Sequence, residues 1–242
     1  MVDCVGVDQL GTASATCLAF ATSKLGQAPI FWGRYFKTPG DTSPGQYQAG
    51  LEADFFSSHN IKVLAIGRQT THVDQPNRDL GHTDGRDNAA ALIKSFGEDH
   101  LASMPEVAVF LDAEIDTPLH HIYYEGWSAG LIEGGNGKVK FAPCLYAHHN
   151  DGTTWRELAR AMGEGARCDA AWIVFMELGN FPIGPWKSTF RGKNMSADLK
   201  VAITQRVLDL SDDDGRTYDF DLVNPDLQDW LLPRLILPRA TL

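Results

Sequence analysis

The sequence predicts an α/β chain closed into a single (β/α)8-type TIM barrel with some crossover helices short or irregular, and three observations carry that expectation. Eight short apolar or β-branched runs are spread along the 242 residues, helix-like stretches separate most of them, and no linker-like segment divides the chain. One domain over residues 1–242 is expected. The runs read as strands are 3–8, 30–35, 62–67, 107–112, 139–146, 171–177, 200–207 and 217–222. Alternating strands and helices are the pattern of parallel strands joined by crossovers, and eight such strands suffice to close a barrel.

The connections follow in order. Ser43-Pro44 offers a capping Ser with Pro at the first helical position, after which Tyr47, Leu51 and Phe55 form one apolar stripe that Asn60 ends. Residues 84–100, with Leu92 and Phe96 four apart, and 119–133, with Tyr123, Trp127 and Leu131 four apart, read as two more helices. Thr154 and Glu157 have capping-box spacing ahead of Trp155, Leu158, Ala159 and Met162. The crossover after Glu177 is too rich in Gly and Pro for a regular helix. Asp212-Asp213-Asp214-Gly215 ends in the Asp-Gly pair of tight hairpins and lacks the alternating ligands of a calcium loop.

Composition narrows the function. The chain is 43% hydrophobic and 21% charged, with a formal net charge of −10 and no basic run, which argues against a nucleic-acid partner. No segment approaches the ~20 apolar residues of a membrane span. The first strand follows Met1 directly, so no signal peptide is expected, and the chain reads as cytoplasmic when synthesised. Cys4, Cys17, Cys144 and Cys168 have no Cys-x-x-Cys spacing, and His120-His121 and His148-His149 are adjacent pairs that do not share a face. Neither a metal nor an organic cofactor is expected. Oligomeric state is left open.

Two chemistries are encoded. Gly126-Trp127-Ser128-Ala129-Gly130 matches the nucleophile elbow Gly-x-Ser-x-Gly, but the acid and then the His must follow the Ser, and only His148 and His149 do, with Glu133 the single carboxylate before them. The segment reads instead as helix interior. The second signal is a set of carboxylates at strand ends. Asp112 and Glu114 are two apart, so an extended chain points both to one side with Cα atoms about 6.6 Å apart. Cys4, Gly6 and Asp8 share a side of the first strand, and Asp219 and Asp221 share a side of the last. Carboxyls gathered in one pocket cannot all ionise near pH 7, which leaves an acid beside an anion, the equipment of glycoside hydrolysis. A divalent-cation site or helix-capping acids would use the same residues. Arg34 shares a side of the second strand with Trp32, and its guanidinium is expected either to reach the acids or substrate or to form a buried structural ion pair.

Gly6-Val7-Asp8, Gly33-Arg34-Tyr35, the helix start at Gly85 to Ala91, Phe110-Leu111-Asp112-Ala113-Glu114, Tyr123-Tyr124-Glu125-Gly126, Gln205 and Tyr218-Asp219-Phe220-Asp221 resemble, in consistent order over nearly the whole chain, the family 25 glycoside hydrolases, the Chalaropsis-type lysozymes. They are more similar still to the bacterial glycoside-hydrolase-like domain, domain of unknown function 1906. The resemblance implies a barrel that binds, and cleaves, a β-1,4-linked amino-sugar polymer such as peptidoglycan. It implies Glu114 as general acid, Asp112 orienting the reacting N-acetyl group, and Asp8 with Asp219 in the base and charge-stabilising positions. Gln205, Asp221 and Tyr146 join Arg34 as expected substrate-binding residues. Two departures are visible: Leu10 stands where the lysozymes place Ser, and Thr204 and Arg206 flank Gln205 where they place Trp and Tyr. The alternative function is a catalytically silent glycan-binding or structural barrel. A wall glycan outside the cytoplasm would require a dedicated export machine or release on lysis.

Overall fold

The computed structural model describes residues 4–69, 71–114, 116–175 and 181–240. Eight strands form a closed barrel in sequence order: β1 (Val5–Asp8), β2 (Phe31–Phe36), β3 (Lys62–Gly67), β4 (Val107–Ala113), β5 (Phe141–His148), β6 (Ala171–Val174), β7 (Val201–Ser211) and β8 (Thr217–Val223). Each predicted strand is present. Asp3 and positions 176–177 of the predicted runs lie outside the described residues. Helices α1 (Ala15–Leu25), α2 (Ala49–Ser58), α3 (Arg78–Phe96), α4 (Glu98–Ala102), α5 (His121–Gly134) and α6 (Gly152–Gly163) lie between the first six strands.

The barrel departs from an all-parallel arrangement at its last strand. β1 through β7 run parallel, while β8 is antiparallel to both β7 and β1. The cause is the connection: β7 and β8 are joined by a hairpin, and a short turn can only reverse direction, whereas a parallel neighbour needs a crossover. Asp212 organises that turn by accepting from Arg216 N at 2.9 Å, Arg216 Nε at 2.8 Å and the Tyr218 hydroxyl at 2.8 Å. Gly215 adopts φ 77° there. β8 therefore enters at the mouth of the barrel and leaves at its base.

Helix starts are set by local chemistry. α1, which has only Cys17 and Ala21 fully buried, is capped by Ser14 and has no counterpart in the sequence-based reading. α2 begins at Ala49 rather than after Ser43-Pro44, because Gln46 is drawn into a bridge with Tyr35 of β2. α6 is capped by Asp151, whose carboxylate accepts from Thr153 N and Thr154 N, so the expected box between Thr154 and Glu157 does not form. The Thr154 hydroxyl oxygen instead accepts from Leu119 N at 2.9 Å. After residue 180 the described chain up to β7 has no regular helix.

Gly126 and Gly130 lie in α5, and they face Gly81 and Gly85 of α3 rather than the barrel. A Cβ at Gly126 would overlap the Arg78 carbonyl, and one at Gly130 the His82 carbonyl; Gly81 and Gly85 meet the Tyr123 and Trp127 carbonyls in the same way. The Ser128 hydroxyl, also on α5, donates to Arg167 O in the connection between α6 and β6 at 2.8 Å. Gly126→Ala is expected to cost about 1–3 kcal/mol by overpacking, which for a chain of this size lowers Tm by roughly 3–10 °C. An unchanged melting curve would contradict the backbone-on-backbone contact.

Two apolar layers complete the fold. Inside the barrel Phe31, Leu64, Ile66, Phe110, Cys144, Trp172, Ile203 and Val223 pack together, closed from the base by Leu231 and Leu235. Outside it, Val7, Trp32, Val63, Val109, Leu111, Ile173 and Val207 meet the helices. Ile236 pairs with Val63, and Lys62 Nζ donates to Leu232 O, fastening the C-terminal segment.

Candidate active site

The strands bring Asp8, Asp112, Glu114 and Asp219 to one cavity of about 220 Å³ at the mouth, lined also by Gln9, Leu10, Tyr35, Arg68, Asp209 and Thr217. β1 and β8 build one wall. Asp8 is directly opposite Asp219, and Gly6 opposite Asp221, so the three carboxyls share the inner face. Reversal of β8 leaves Asp219 at the mouth because it lies near the strand's start. Gly33, the β2 neighbour of Asp8, has no room for a side chain: a Cβ there would lie 2.5 Å from Asp8 Cβ.

The opposite wall is β4. Asp112 is 3% exposed, and Glu114, one residue past the strand, stands at the exposed rim. The two carboxyls share a hydrogen bond. Arg68, immediately after β3, stacks its guanidinium 4.8 Å from the Tyr35 ring centroid and donates from Nη1 to Pro44 O at 2.7 Å. From there its charge favours the ionised forms of both Asp112 and Glu114.

Burial dominates the ionisation of this site. Desolvation, then the charges of Asp219, Asp221 and Asp112, pushes Asp8 well above the ordinary carboxyl range. Asp112 is raised by burial and by Glu114, and Asp221 by burial and by Asp219. Glu114 is raised by burial, against the opposing pull of Arg68 and of the hydrogen bond with Asp112. Asp219 is pushed up to about 6 by burial, opposed by the Asp209 backbone N–H, which donates to its Oδ1 at 2.6 Å. That donor is aimed by an irregularity in β7, where Asp209 takes the left-handed conformation at φ 54°.

A raised carboxyl stabilises the fold below its unfolded pKa and loses that contribution as pH rises through its folded value. Asp8→Asn is therefore expected to raise Tm at pH 7.5 and to leave it nearly unchanged at pH 4, near the ordinary value of 3.8. A variant equally altered at both pH values would contradict the raised pKa.

Gln205, Asp221 and Tyr146 back the cavity without lining it. The Tyr146 hydroxyl donates to Gln205 Oε1 at 2.6 Å, and Trp172 Nε1 donates to Asp221 Oδ1 at 3.0 Å. Thr204 and Arg206, on the other face of β7, point out of the barrel; Arg206 packs its guanidinium 4.3 Å from the Phe190 ring centroid. Leu10 is at the rim and 47% exposed.

Arg34 is not brought to the acids. Alternation pairs it with Trp32 as the sequence suggests, but that face is the outer one, and the guanidinium is 1% exposed beneath α2. Its Nε lies 3.0 Å from Glu52 Oε1, and its Nη1 donates to Gln9 O and Gly11 O at 2.9 and 2.8 Å. Arg34 thus braces the loop that carries Gln9 and Leu10 along the cavity edge. The cation beside the acids is Arg68, which the sequence reading did not name; its place just after an apolar strand is the signal that identified Asp112. Asp209 had no such signal, because its position depends on the β7 irregularity.

The fold and the site together define a carboxylate-lined (β/α)8-type barrel. No family model matches the chain, and no curated protein does. Among solved structures it is similar to an uncharacterized B. stearothermophilus protein, at 17% identity over 96% of this chain and 99% of that one, with a TM-score of 0.65. It is also similar to the Mycobacterium tuberculosis Tat-secreted protein Rv2525c, solved in complex with L-tartrate, at 13% identity over 93% and 98% of the two chains and a TM-score of 0.55. A third similar structure is the Clostridium perfringens spore cortex lytic enzyme SleM, at 16% identity over 95% of this chain and 69% of that one, with a TM-score of 0.52. These likenesses establish the barrel. Among the described residues no helix is long and apolar enough to cross a membrane.

Proposed function

We propose that the protein hydrolyses the glycosidic bonds of a β-1,4-linked amino-sugar polymer, with peptidoglycan as the substrate. The observation that supports this best is the convergence of Asp8, Asp112, Glu114 and Asp219, carboxyls with unequal ionisation, on one cavity at the barrel mouth. That one similar structure is a spore cortex lytic enzyme and another a Tat-secreted protein agrees with a substrate outside the cytoplasm.

In this reading Glu114, exposed at the rim, gives its proton to the glycosidic oxygen as the bond to the sugar carbon breaks and the leaving sugar departs with the electron pair. Asp112, hydrogen-bonded to Glu114, orients the N-acetyl group. Asp219, ionised above about pH 6, stabilises positive charge at the sugar carbon, and Asp8 beside it completes the acid wall; water then adds to that carbon and gives a proton back to the Glu114 carboxylate, which completes the hydrolysis. Gln205, Tyr146 and Asp221 act from behind by holding that wall in place.

The test is release of reducing ends from purified peptidoglycan between about pH 4 and 8, a window that brackets shifted carboxyl pKa values. Activity is expected to rise as pH increases through about 6, where Asp219 loses its proton, and to fall at higher pH as Glu114 loses its own. A rate flat across the window would contradict these roles. The second reading, a glycan-binding barrel without turnover, is favoured by apolar Leu10 at the rim where the lysozymes carry Ser. Binding of wall glycan with no release at any pH would select it.

A further inference from the structure

A second cluster of titratable side chains lies on the outer helical layer, away from the acid cavity. α5 contributes His121 and Glu125, four apart and so on one helix face. α6 contributes Glu157 and, at its C-cap, Glu164. Ligand-type atoms of His121, Glu125 and Glu164 all lie within 4.8 Å of one another.

The histidine is prepared for a ligand. Glu157 Oε2 is 2.7 Å from His121 Nδ1 and also accepts from the His121 backbone N–H at 3.4 Å. A carboxylate at that distance accepts the ring proton, so Nδ1 carries it. In the neutral ring the lone pair is then on Nε2. The His121 side chain is 6% exposed, and its Nε2 faces Glu164 Oε2 at 4.0 Å, too long for a hydrogen bond. An imidazole whose Nδ1–H is fixed by a carboxylate, with Nε2 presented to further carboxylates, has the arrangement of a metal-ligating histidine.

The two facing acids point the same way. Carboxylate oxygens of Glu125 and Glu164 lie within 4.8 Å of each other and of the imidazole, like charges that a cation between them would neutralise. Arg78 Nε lies 4.0 Å from Glu125, and Arg160 Nε 3.1 Å from Glu164. A neighbouring set of His120, His121 and Glu157 also lies within ligand range. It is disfavoured because His120 Nδ1 accepts from Ile122 N, which leaves the proton of the neutral ring on Nε2.

We propose that His121, Glu125 and Glu164 hold a zinc-class divalent cation that ties α5 to α6, with Glu157 steadying the imidazole from behind. This departs from the sequence-based expectation of no metal, which rested on the adjacency of His120 and His121 and could not anticipate acids arriving from another helix. One imidazole with two carboxylates suits Zn2+ or Mn2+, whereas Ca2+ and Mg2+ favour all-oxygen sets. A cleft of about 220 Å³ beside Glu125 and Glu164, lined also by Arg78 and Arg167, leaves a coordination position open to water or a small anion.

The test is titration of the full chain, stripped with EDTA and dialysed, with ZnCl2 at pH 7.5 by calorimetry. The wild type is expected to bind about one equivalent, Glu164→Gln to bind more than a hundredfold more weakly, and Glu157→Gln to lose about 10–100-fold, as second-layer partners of ligating histidines do. Glu164 is 45% exposed, so its variant is expected to fold with the Tm of the metal-free wild type; should that Tm fall, His121→Gln carries the same comparison. Asp112→Asn, in the acid cavity, is expected to bind Zn2+ as the wild type does. The absence of saturable binding below millimolar Zn2+, or undiminished binding by Glu164→Gln and His121→Gln, would overturn the proposal. Loss of binding in Asp112→Asn alone would place the cation among the mouth carboxylates and overturn it equally.

Discussion

Glu114→Gln is expected to slow reducing-end release by about a hundredfold or more while leaving glycan affinity within a few-fold of the wild type. The amide keeps the volume and the hydrogen-bonding reach of the carboxyl but has no proton to transfer. Glu114 is the acid of the pair that faces solvent, whereas Asp112 is buried beneath it, so a glycosidic oxygen entering the cavity meets Glu114 first. Parallel measurement of rate and of binding to insoluble peptidoglycan separates the outcomes. A variant as fast as an active wild type would mean that another group delivers the proton.

Glu52→Ala is expected to produce the largest loss of stability. It leaves the Arg34 guanidinium, 1% exposed, without its anion. Breaking a buried pair from one side costs about 3–5 kcal/mol, or roughly 6–20 °C in Tm for a chain of this length. Glu52 also accepts from Ala13 N and Gln48 N, both at 3.0 Å, so the loop between β1 and α1 loses an anchor on the same substitution. A calorimetric melt checks it; a shift below about 2 °C would mean that Arg34 is held by Gln9, Gly11 and Gln46 carbonyls alone.

Strand positions were legible because each is an apolar run bounded by polar or glycine-rich turns, and burial on both faces of a barrel strand demands such runs. The direction of β8 was not, because a period-two pattern reads the same from either end. The hairpin signal at Asp214-Gly215 does bear on it: a short turn makes the last strand antiparallel to the one before it, a consequence that a reading in terms of parallel strands leaves out. Asp8, Asp112, Glu114 and Asp219 could be grouped from alternation and strand ends, and barrel closure brings those ends together. Arg34 shows the limit of the same rule. Alternation assigned it correctly to the face of Trp32, yet nothing in the period says which face looks inward. α1 escaped notice because its Ala, Thr and Ser residues give only a faint apolar stripe, and Cys17 and Ala21 suffice to seat it. The cavity contact of Asp209 depends on a backbone irregularity that leaves no trace in the residue pattern.

The most direct test of the account is a crystal structure of Glu114→Gln soaked with an N-acetylglucosamine oligomer. The account predicts a chain of sugars across the barrel mouth, with a glycosidic oxygen about 2.6–3.2 Å from the side chain at position 114 and a ring against Tyr35 and Arg68. An oligomer bound instead in the separate cleft lined by Trp186, Phe190, Arg191 and Asn224, with none at the carboxylates, would contradict it.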